Sequence, residues 1–579
     1  MAKKTPPQLR GKLDPKNDSA NKTDAAKTSP RDSLREMIES VVIAFVLAFL
    51  FRTFEAEAFV IPTGSMAPTL MGRHKDLICP NCEFPYRVSA SDEEPRNGEA
   101  WQNSAEEEAN KVVASICPVC RYQMNFGPSG ADSDERHASF KGDRILVAKF
   151  PYEFADPKRW DVAVFKNPSK AKENYIKRVV GLPNETVVIC HGDVHTTQED
   201  IDGPLSAAAV LELQQEGTLH IERKPPAKVE AMLQVVHDND YLSANMPLRW
   251  EPQTPGWQTL EEGGQFAYDG KAGGDALIVY NHLIPTPGNW RRVRGEPKPQ
   301  LSDRKVPAQL ITDFYAYNTN MARERLKMGL EDDVLGNHWV GDLAIDCRIE
   351  IEGSQGEAIL QLVEGGVVLE CRIDVATGLA KFQIPGDKKA QREVATSVRG
   401  PGSYRLRFAN VDDQLLLWVD GKIVPLDGAY GPLGNIVPNE DDLAPARLGT
   451  NGLAARFSEL RVLRDVYYIS MGGGYGDVRR SPEFFADPSR WKELGDEPGD
   501  VFFLAADRFM VCGDNSPRSY DSRMWRARDD EGGVEYYVKR ELLVGKAVYI
   551  YWPHALDHLP YFDVWFPFFP NFARMGFVR

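Results

Sequence analysis

Apolar and polar positions change their period several times along this chain. Residues 1–36 carry almost no large apolar side chain, and Lys3, Lys4, Arg10, Lys12, Lys16, Lys22, Lys27, Arg31 and Arg35 are spread through them. Such a stretch cannot bury a core and is expected to be disordered. An unbroken apolar run, VVIAFVLAFLF, follows at 41–51. Beyond it the period drops to two. The segments 142–150 (GDRILVAKF), 160–165 (WDVAVF) and 175–183 (YIKRVVGLP) are β-branched runs bounded by turn residues, which predicts strands. In the last of these, Ile176, Arg178 and Val180 face one way and Tyr175, Lys177 and Val179 the other. From 339 to 470 the texture becomes regular: LAIDCRIEI, AILQLVEG, VVLECRID, AKFQIP, YRLRFANVDDQLLLWVDGKIV and FSELRVLRDVYY. Short alternating strands at this spacing, with turns at Asp412-Asp413 and Asp420-Gly421, predict an antiparallel β-sandwich. Between them, 226–335 is rich in Pro, Gly and charge and reads as accessory strands and long loops around Trp250, Trp257 and Trp290. The aromatic end, 561–569 (YFDVWFPFF), reads as core of the last block or as a surface at a membrane interface.

The 579 residues are enough for three or four domains. Lys plus Arg number 69 against 84 Asp plus Glu, a formal charge of −15, which argues against a nucleic-acid partner. The run at 41–51 is shorter than the roughly 20 residues of a spanning helix. Its flanks, with Glu39 and Arg52 near the ends, bring 37–54 close to that length. The basic tail then predicts a cytoplasmic amino terminus, a single anchor in membrane lipid and an exported body. A cleavable signal is the rival, because Ala56 and Ala58 form a small-residue site. The long tail and the nearness of Ser65 favour an uncleaved anchor.

The candidate chemistry begins at 61–70, IPTGSMAPTL. Gly64 permits a tight turn, while Pro62 and Pro68 stiffen the flanks of Ser65. A serine hydroxyl is a weak nucleophile until a base and oxyanion donors are placed beside it. Thr63 and the Ser65 amide are local donors. Lys177, on a strand face with apolar neighbours, is a base only if desolvation lowers its pKa. Far downstream, 509–525 (FMVCGDNSPRSYDSRMW) is a strand end running into a polar loop that contains Asp514, Asp521 and Arg523. Each piece alone also reads as an ordinary loop, strand lysine or surface ion pair.

In this order the apolar anchor, PTGSMAPTL, GDRILVAKF, WDVAVF, YIKRVVGLP and GDNSPRSYDSR together resemble the bacterial type I signal peptidases, and LLVGKAVYIYWP at 542–553 resembles their closing strand. The resemblance covers about 200 residues in three blocks. It implies a mainly β, signal-peptidase-type antiparallel catalytic domain behind one transmembrane helix, and a membrane-bound serine endopeptidase that removes signal peptides from exported preproteins after small residues. It implies Ser65 as nucleophile, Lys177 as general base, Thr63 with the Ser65 amide as oxyanion hole, Ser519 orienting the lysine, and Asp521 with Arg523 as a supporting pair beside Asp514. The chain departs from the family at Ser516, where an arginine is usual. No cofactor is needed for this chemistry. A membrane-anchored binding protein on an inactive peptidase scaffold is the alternative, and a self-cleaving regulator a third reading; the intact Ser65 and Lys177 speak against the second, the anchor against the third.

Two knuckles, Cys79-Pro-Asn-Cys82 and Cys117-Pro-Val-Cys120, have the spacing of a structural zinc site, with disulfides as the competing reading on an oxidising side. Cys190, Cys347, Cys371 and Cys512 read as buried thiols. The sandwich around 404–424 resembles a concanavalin-like or laminin-G-like jelly roll, whose partner is a glycan or a protein. The expected layout is a tail at 1–36, an anchor at 37–54, catalytic blocks at 55–78, 141–225 and 502–579, a four-Cys insertion at 79–140, an accessory insertion at 226–335, a jelly-roll-like sandwich at 336–470 and a linker at 471–501.

Overall fold

The computed structural model describes residues 37–46, 56–95, 101, 103–127, 138–168, 170–243, 246–271, 273–285, 289–290, 306–323, 326, 335–386, 392–434, 437–471, 479–525, 527–528, 534–558 and 564–579. Residues up to Glu55 form one unit and those from Ala56 another. In the first, 37–46 is helical with exposed side chains. The expected disordered tail, 1–36, and the second half of the expected anchor, 47–54, lie outside the described residues. Among the described residues no helix is long and apolar enough to cross a membrane.

The second unit is mainly β. One eight-stranded antiparallel sheet runs Ala56–Val60, Arg144–Ala148, Leu543–Trp552, Val162–Asn167, Lys170–Gly181, Arg508–Cys512 and Val538–Lys539, with Gly576–Phe577 beside Leu543–Trp552. Alternation gives it two apolar faces. Ile145, Val147, Val162, Val164, Ala547 and Ile550 form one core; Ala163, Phe165, Val179, Phe509 and Val511 form another. The strands come from three blocks far apart in the chain, so the sheet closes only when all three are present. A smaller sheet, Glu185–Cys190 with Asp193–Thr197, His220–Ile221 and Asp500–Leu504, continues it.

The sandwich has sheets of eight and seven strands around one shared core. Its expected start at 336 is corrected to 234. Gln234–Asp238, Trp257–Leu260 and Gln265–Asp269 belong to one sheet, and Trp250–Pro252 and Asp275–Tyr280 to the other. Trp250, Phe266, Ile278 and Tyr280 sit in the common core with Phe408, Leu417 and Leu448. The accessory strands expected in 226–335 are thus present at 234–280, but they are short and separated by turns through Gly256, Gly263 and Gly270, all at positive φ, which hides their place in the sandwich. The two predicted turns are present: Asp412 and Asp413 both have φ near 52°, and Asp420 and Gly421 have φ of 50° and 73°, the pattern of hairpin turns that match strand twist.

The other half of the expected accessory insertion joins the four-Cys module. Met321–Ala322 pairs with Val112–Ile116, which pairs with Gln123–Asn125. Trp290, Phe314 and Met321 pack into the same core as Leu77, Phe84, Tyr86 and Met124. The sandwich meets the smaller sheet at Lys224, whose ammonium donates to Asp412 and pairs as an ion with Asp465 at 2.9 Å, all fully buried. Burial alone would discharge this lysine, and the two carboxylates reverse the effect and raise its pKa. At the carboxyl end, the reading of 561–569 as core is corrected where residues are described. Val564 and Phe566 are exposed, as are Phe572 and Phe577 nearby.

This layout makes a prediction about domain excision. Residues 336–470 lack five of the fifteen sandwich strands and should be unfolded in isolation. A chain joining 234–281 to 339–466 through a short Gly/Ser linker should melt cooperatively, as followed by circular dichroism. A cooperative melt of 336–470 alone would contradict the shared core.

Candidate active site

Ser65 lies in a short 3-10 turn, Gly64–Met66, that is anchored on both sides. Met66 and Leu70 are fully buried in the sheet core with Ile61. Asp143 splints the two ends of the loop. Its amide donates to Met71 O at 2.9 Å, its carbonyl accepts from Ile61 N at 2.9 Å, and its carboxylate accepts from Met71 N at 2.8 Å and from Arg574 at 2.9 Å. Glycine is required where backbones close up. A Cβ on Gly142 would lie 2.0 Å from Ile61 O, and one on Gly72 would lie 2.2 Å from the Thr63 carbonyl carbon.

Lys177 and Arg178 are neighbours on one strand and serve opposite sides of it. Lys177 Nζ donates to Ser65 Oγ at 2.6 Å, and both residues are buried, with 5% and 7% of their surface exposed. Arg178 makes a bidentate pair with Asp514, 2.7 Å at each contact, and also donates to Trp160 O and Thr69 Oγ1. Burial pushes the Lys177 amine down from 10.5 to about 8. Asp521 pulls it up and Arg523 pushes it down by smaller amounts. An amine in that range is substantially neutral at mildly alkaline pH, which is the form a base requires.

The loop at 513–523 closes the site. Asn515 N donates to Ser65 O at 3.0 Å and Asn515 Nδ2 to Gly64 O at 2.9 Å. Asp521 is fully buried. Burial favours its neutral form, but Arg523 at 2.8 and 2.9 Å and the Gly513 amide at 2.9 Å keep it ionised below its ordinary pKa. Arg523 also donates to Ser516 Oγ and to Ile469 O, while Ile469 N donates to Ser516 Oγ at 2.9 Å. This explains the departure at Ser516. A small hydroxyl stands there and receives the chain returning from the sandwich.

Ser519 and Thr63 complete the predicted set. The Lys177 amine has Ser65 Oγ as its hydrogen-bond partner among the described residues, and Ser519 is not bonded to it. The Ser519 hydroxyl is buried against Gly513, where an added Cβ would lie 2.2 Å away, and it is not committed to another hydrogen-bond partner among the described residues. Thr63 is exposed and makes no capping bond to the turn it precedes, so capping does not consume its hydroxyl. Asp143, Arg178 and Asn515 escaped the sequence reading although all three lie inside quoted motifs. Tyr317 and Asn318, described below, carried no local signal at all.

Two further clusters flank the loop. Cys79, Cys82, Cys117 and Cys120 are buried and unbridged, with their sulfurs within 4.8 Å of one another. Cys79 Sγ lies 3.5 Å from Cys120 Sγ and Cys82 Sγ 3.6 Å from Cys117 Sγ. Those separations suit a tetrahedral zinc with Zn–S near 2.3 Å, for which sulfurs stand about 3.8 Å apart. The two knuckles are built alike. Glu83 N donates to Cys79 O and Arg121 N to Cys117 O, and Glu83 and Arg121 both take positive φ. Next to Gly72, His74 Nδ1 bonds Gly72 O at 2.7 Å, so its Nε2 accepts from His554 Nδ1 at 3.0 Å, and His554 Nε2 faces Asp76 at 2.9 Å. This bonding is complete when His74 is neutral, and burial holds His74 down at about 4.

A buried lysine that meets a loop serine in a β-rich unit is the arrangement that serine–lysine peptidases use. A family model described as signal peptidase, peptidase S26, matches residues 113–245, which include Lys177. Over parts of its length the chain is similar to type I signal peptidases. Signal peptidase I of Pseudomonas aeruginosa is 50% identical over 58 residues, 8% of this chain and 20% of that protein. Probable signal peptidase I-2 of Synechocystis is 25% identical over 188 residues, 31% of this chain and 54% of that protein. The chain thus spans between a fifth and about half of the length of these curated relatives. Among solved structures, the carbohydrate binding module CBM66 from Bacillus subtilis aligns with 37% of this chain and 95% of that chain, at 12% identity and a TM-score of 0.21.

A buried base is a stability liability with a definite sign. The folded pKa of Lys177, about 8, lies below its unfolded value of 10.5, so the cost is full below pH 8 and fades toward pH 10.5. The shift corresponds to about 3 kcal/mol. Lys177→Met is therefore expected to raise the thermal midpoint at pH 7 by an amount that shrinks as pH rises. A variant that melts below the parent at pH 7 would show that the amine is held by more than it costs.

Proposed function

We propose that this chain is a signal peptidase I, a membrane-bound serine endopeptidase that removes amino-terminal signal peptides from exported preproteins after small residues. The observation that carries the reading is the 2.6 Å contact from Lys177 Nζ to Ser65 Oγ in a buried site. Neutral Lys177 takes the Ser65 proton as Oγ attacks the scissile carbonyl. The Ser65 amide and the Thr63 hydroxyl receive the oxyanion. The ammonium then protonates the departing amine, leaving an ester on Ser65. Lys177, neutral again, removes a proton from water, and the hydroxide releases the acyl group and restores Ser65. Asp521 and Arg523 keep the charge around the amine balanced.

The residues 37–54 are proposed as a single anchor with the tail on the cytoplasmic side and the second unit on the exported side. The apolar run and the exposed Phe566, Phe572 and Phe577 support contact with lipid. The four cysteines are proposed to hold a structural zinc, which with four sulfur ligands has no open position for catalysis.

Ser65→Ala and Lys177→Arg should each abolish cleavage of a generic preprotein in vesicles, since a guanidinium stays protonated. Residual turnover above background in either would sink the dyad. In the parent, kcat/KM should rise with unit slope and level off above about pH 8, where Lys177 is neutral. A profile flat from pH 6 to 9 contradicts this assignment. Elemental analysis of the purified protein should give about one zinc per chain, lost in Cys79→Ser; two disulfides and no metal would refute the zinc.

A further inference from the structure

We propose that Tyr317 and Asn318, which lie outside every peptidase motif, position the catalytic serine loop from behind. The kinetic consequence rests on the peptidase reading above; the structural one does not. Asn318 and Asn515 form a reciprocal amide pair, with Nδ2 donating to Oδ1 at 2.7 Å in each direction. Both are buried, with 7% and 1% exposed. Asn515 Nδ2 has two hydrogens, and both are used: one on Asn318 Oδ1, the other on Gly64 O. Asn318 thus fixes the amide that holds the carbonyl just before Ser65. If it is removed, Asn515 keeps its bond to Gly64 but loses what sets its plane.

Tyr317 acts on the same peptide by contact. A Cβ on Gly64 would lie 2.2 Å from Tyr317 Cε1, so the ring covers the backbone there, and its hydroxyl donates to Arg73 O at 3.4 Å. Its ring stacks on that of Tyr315 at 5.8 Å and 22°. The segment carrying both residues is itself fastened. Thr319 Oγ1 accepts from Ile116 N at 2.9 Å, and Met321 pairs with Ala114 in the strand that leads into Cys117. A rigid insertion therefore bears on the one loop whose placement sets the distance from Ser65 to Lys177. Misplacing a nucleophile by about 1 Å is enough to cost about a hundredfold in rate.

The test uses the full chain in detergent or vesicles, with Asn318→Ala and the isostere Asn318→Asp, which keeps the acceptor for Asn515 but sets oxygen against oxygen at the second contact. Amide hydrogen exchange is read on peptides covering 61–72 and, as a control, 543–552. Cleavage of a preprotein gives kcat and KM separately. Asn318→Ala is expected to speed exchange across 61–72 about tenfold, leave 543–552 unchanged, and lower kcat at least tenfold with KM within twofold. Asn318→Asp should fall between it and the parent, and it decides the matter if the alanine variant does not fold. Unchanged exchange over 61–72 in a folded variant overturns the proposal, as does a loss expressed only in KM. If exchange responds but the parent protein cleaves no preprotein, the clamp stands and the peptidase reading fails.

Discussion

A lysine amine kept away from water, one hydrogen bond from a serine hydroxyl, is the interaction on which the site depends. Desolvation provides the reactivity, because it is the largest influence on the Lys177 amine and acts against its charge. The same desolvation opposes folding, so the surroundings must hold an arrangement that the amine alone would avoid. That is the use of the dense bonding around it. Asp521 and Arg523 neutralise each other within the loop, and Arg178 with Asp514 does the same on the other side of the strand. Neither ion pair leaves an unmatched charge beside the amine. A single unpaired carboxylate there would draw the proton back and remove the base.

The meeting of Ser65 with Lys177 was legible in the sequence because its signals are local. A turn-rich serine loop, a strand lysine and a Gly-Asp-Asn loop each keep their spacing whatever lies between them. The hairpin turns at Asp412-Asp413 and Asp420-Gly421 were legible for the same reason, since the turn type demands residues that tolerate positive φ. What failed to show was anything that depends on long-range pairing. The strands at 234–280 are brief and Gly-interrupted, and it is pairing with the distant 446–464 that joins them to the sandwich. Tyr317 and Asn318 look like any aromatic and amide in a loop.

The insertions are therefore not beads hung on a finished enzyme. One reading of the chain would separate them cleanly, because lengthening a surface loop costs little closure entropy. The contacts argue otherwise. The segment between the two halves of the sandwich passes through the four-Cys module and touches the serine loop. The returning segment touches Ser516 and Arg523 through Ile469. Lys224 sits under the sandwich with two of its carboxylates.

This arrangement also imposes a chronology. The bond from Asn515 to Gly64 joins residues 451 positions apart, so Ser65 is made well before the loop that holds it. During all the time between, the chain carries its nucleophile without the partner that seats it. Such long-range closure is intrinsically slow and comes late. The turn at Ser65 is held only once the loop at 513–523 has been made and closed over it, and the insertions lengthen that interval.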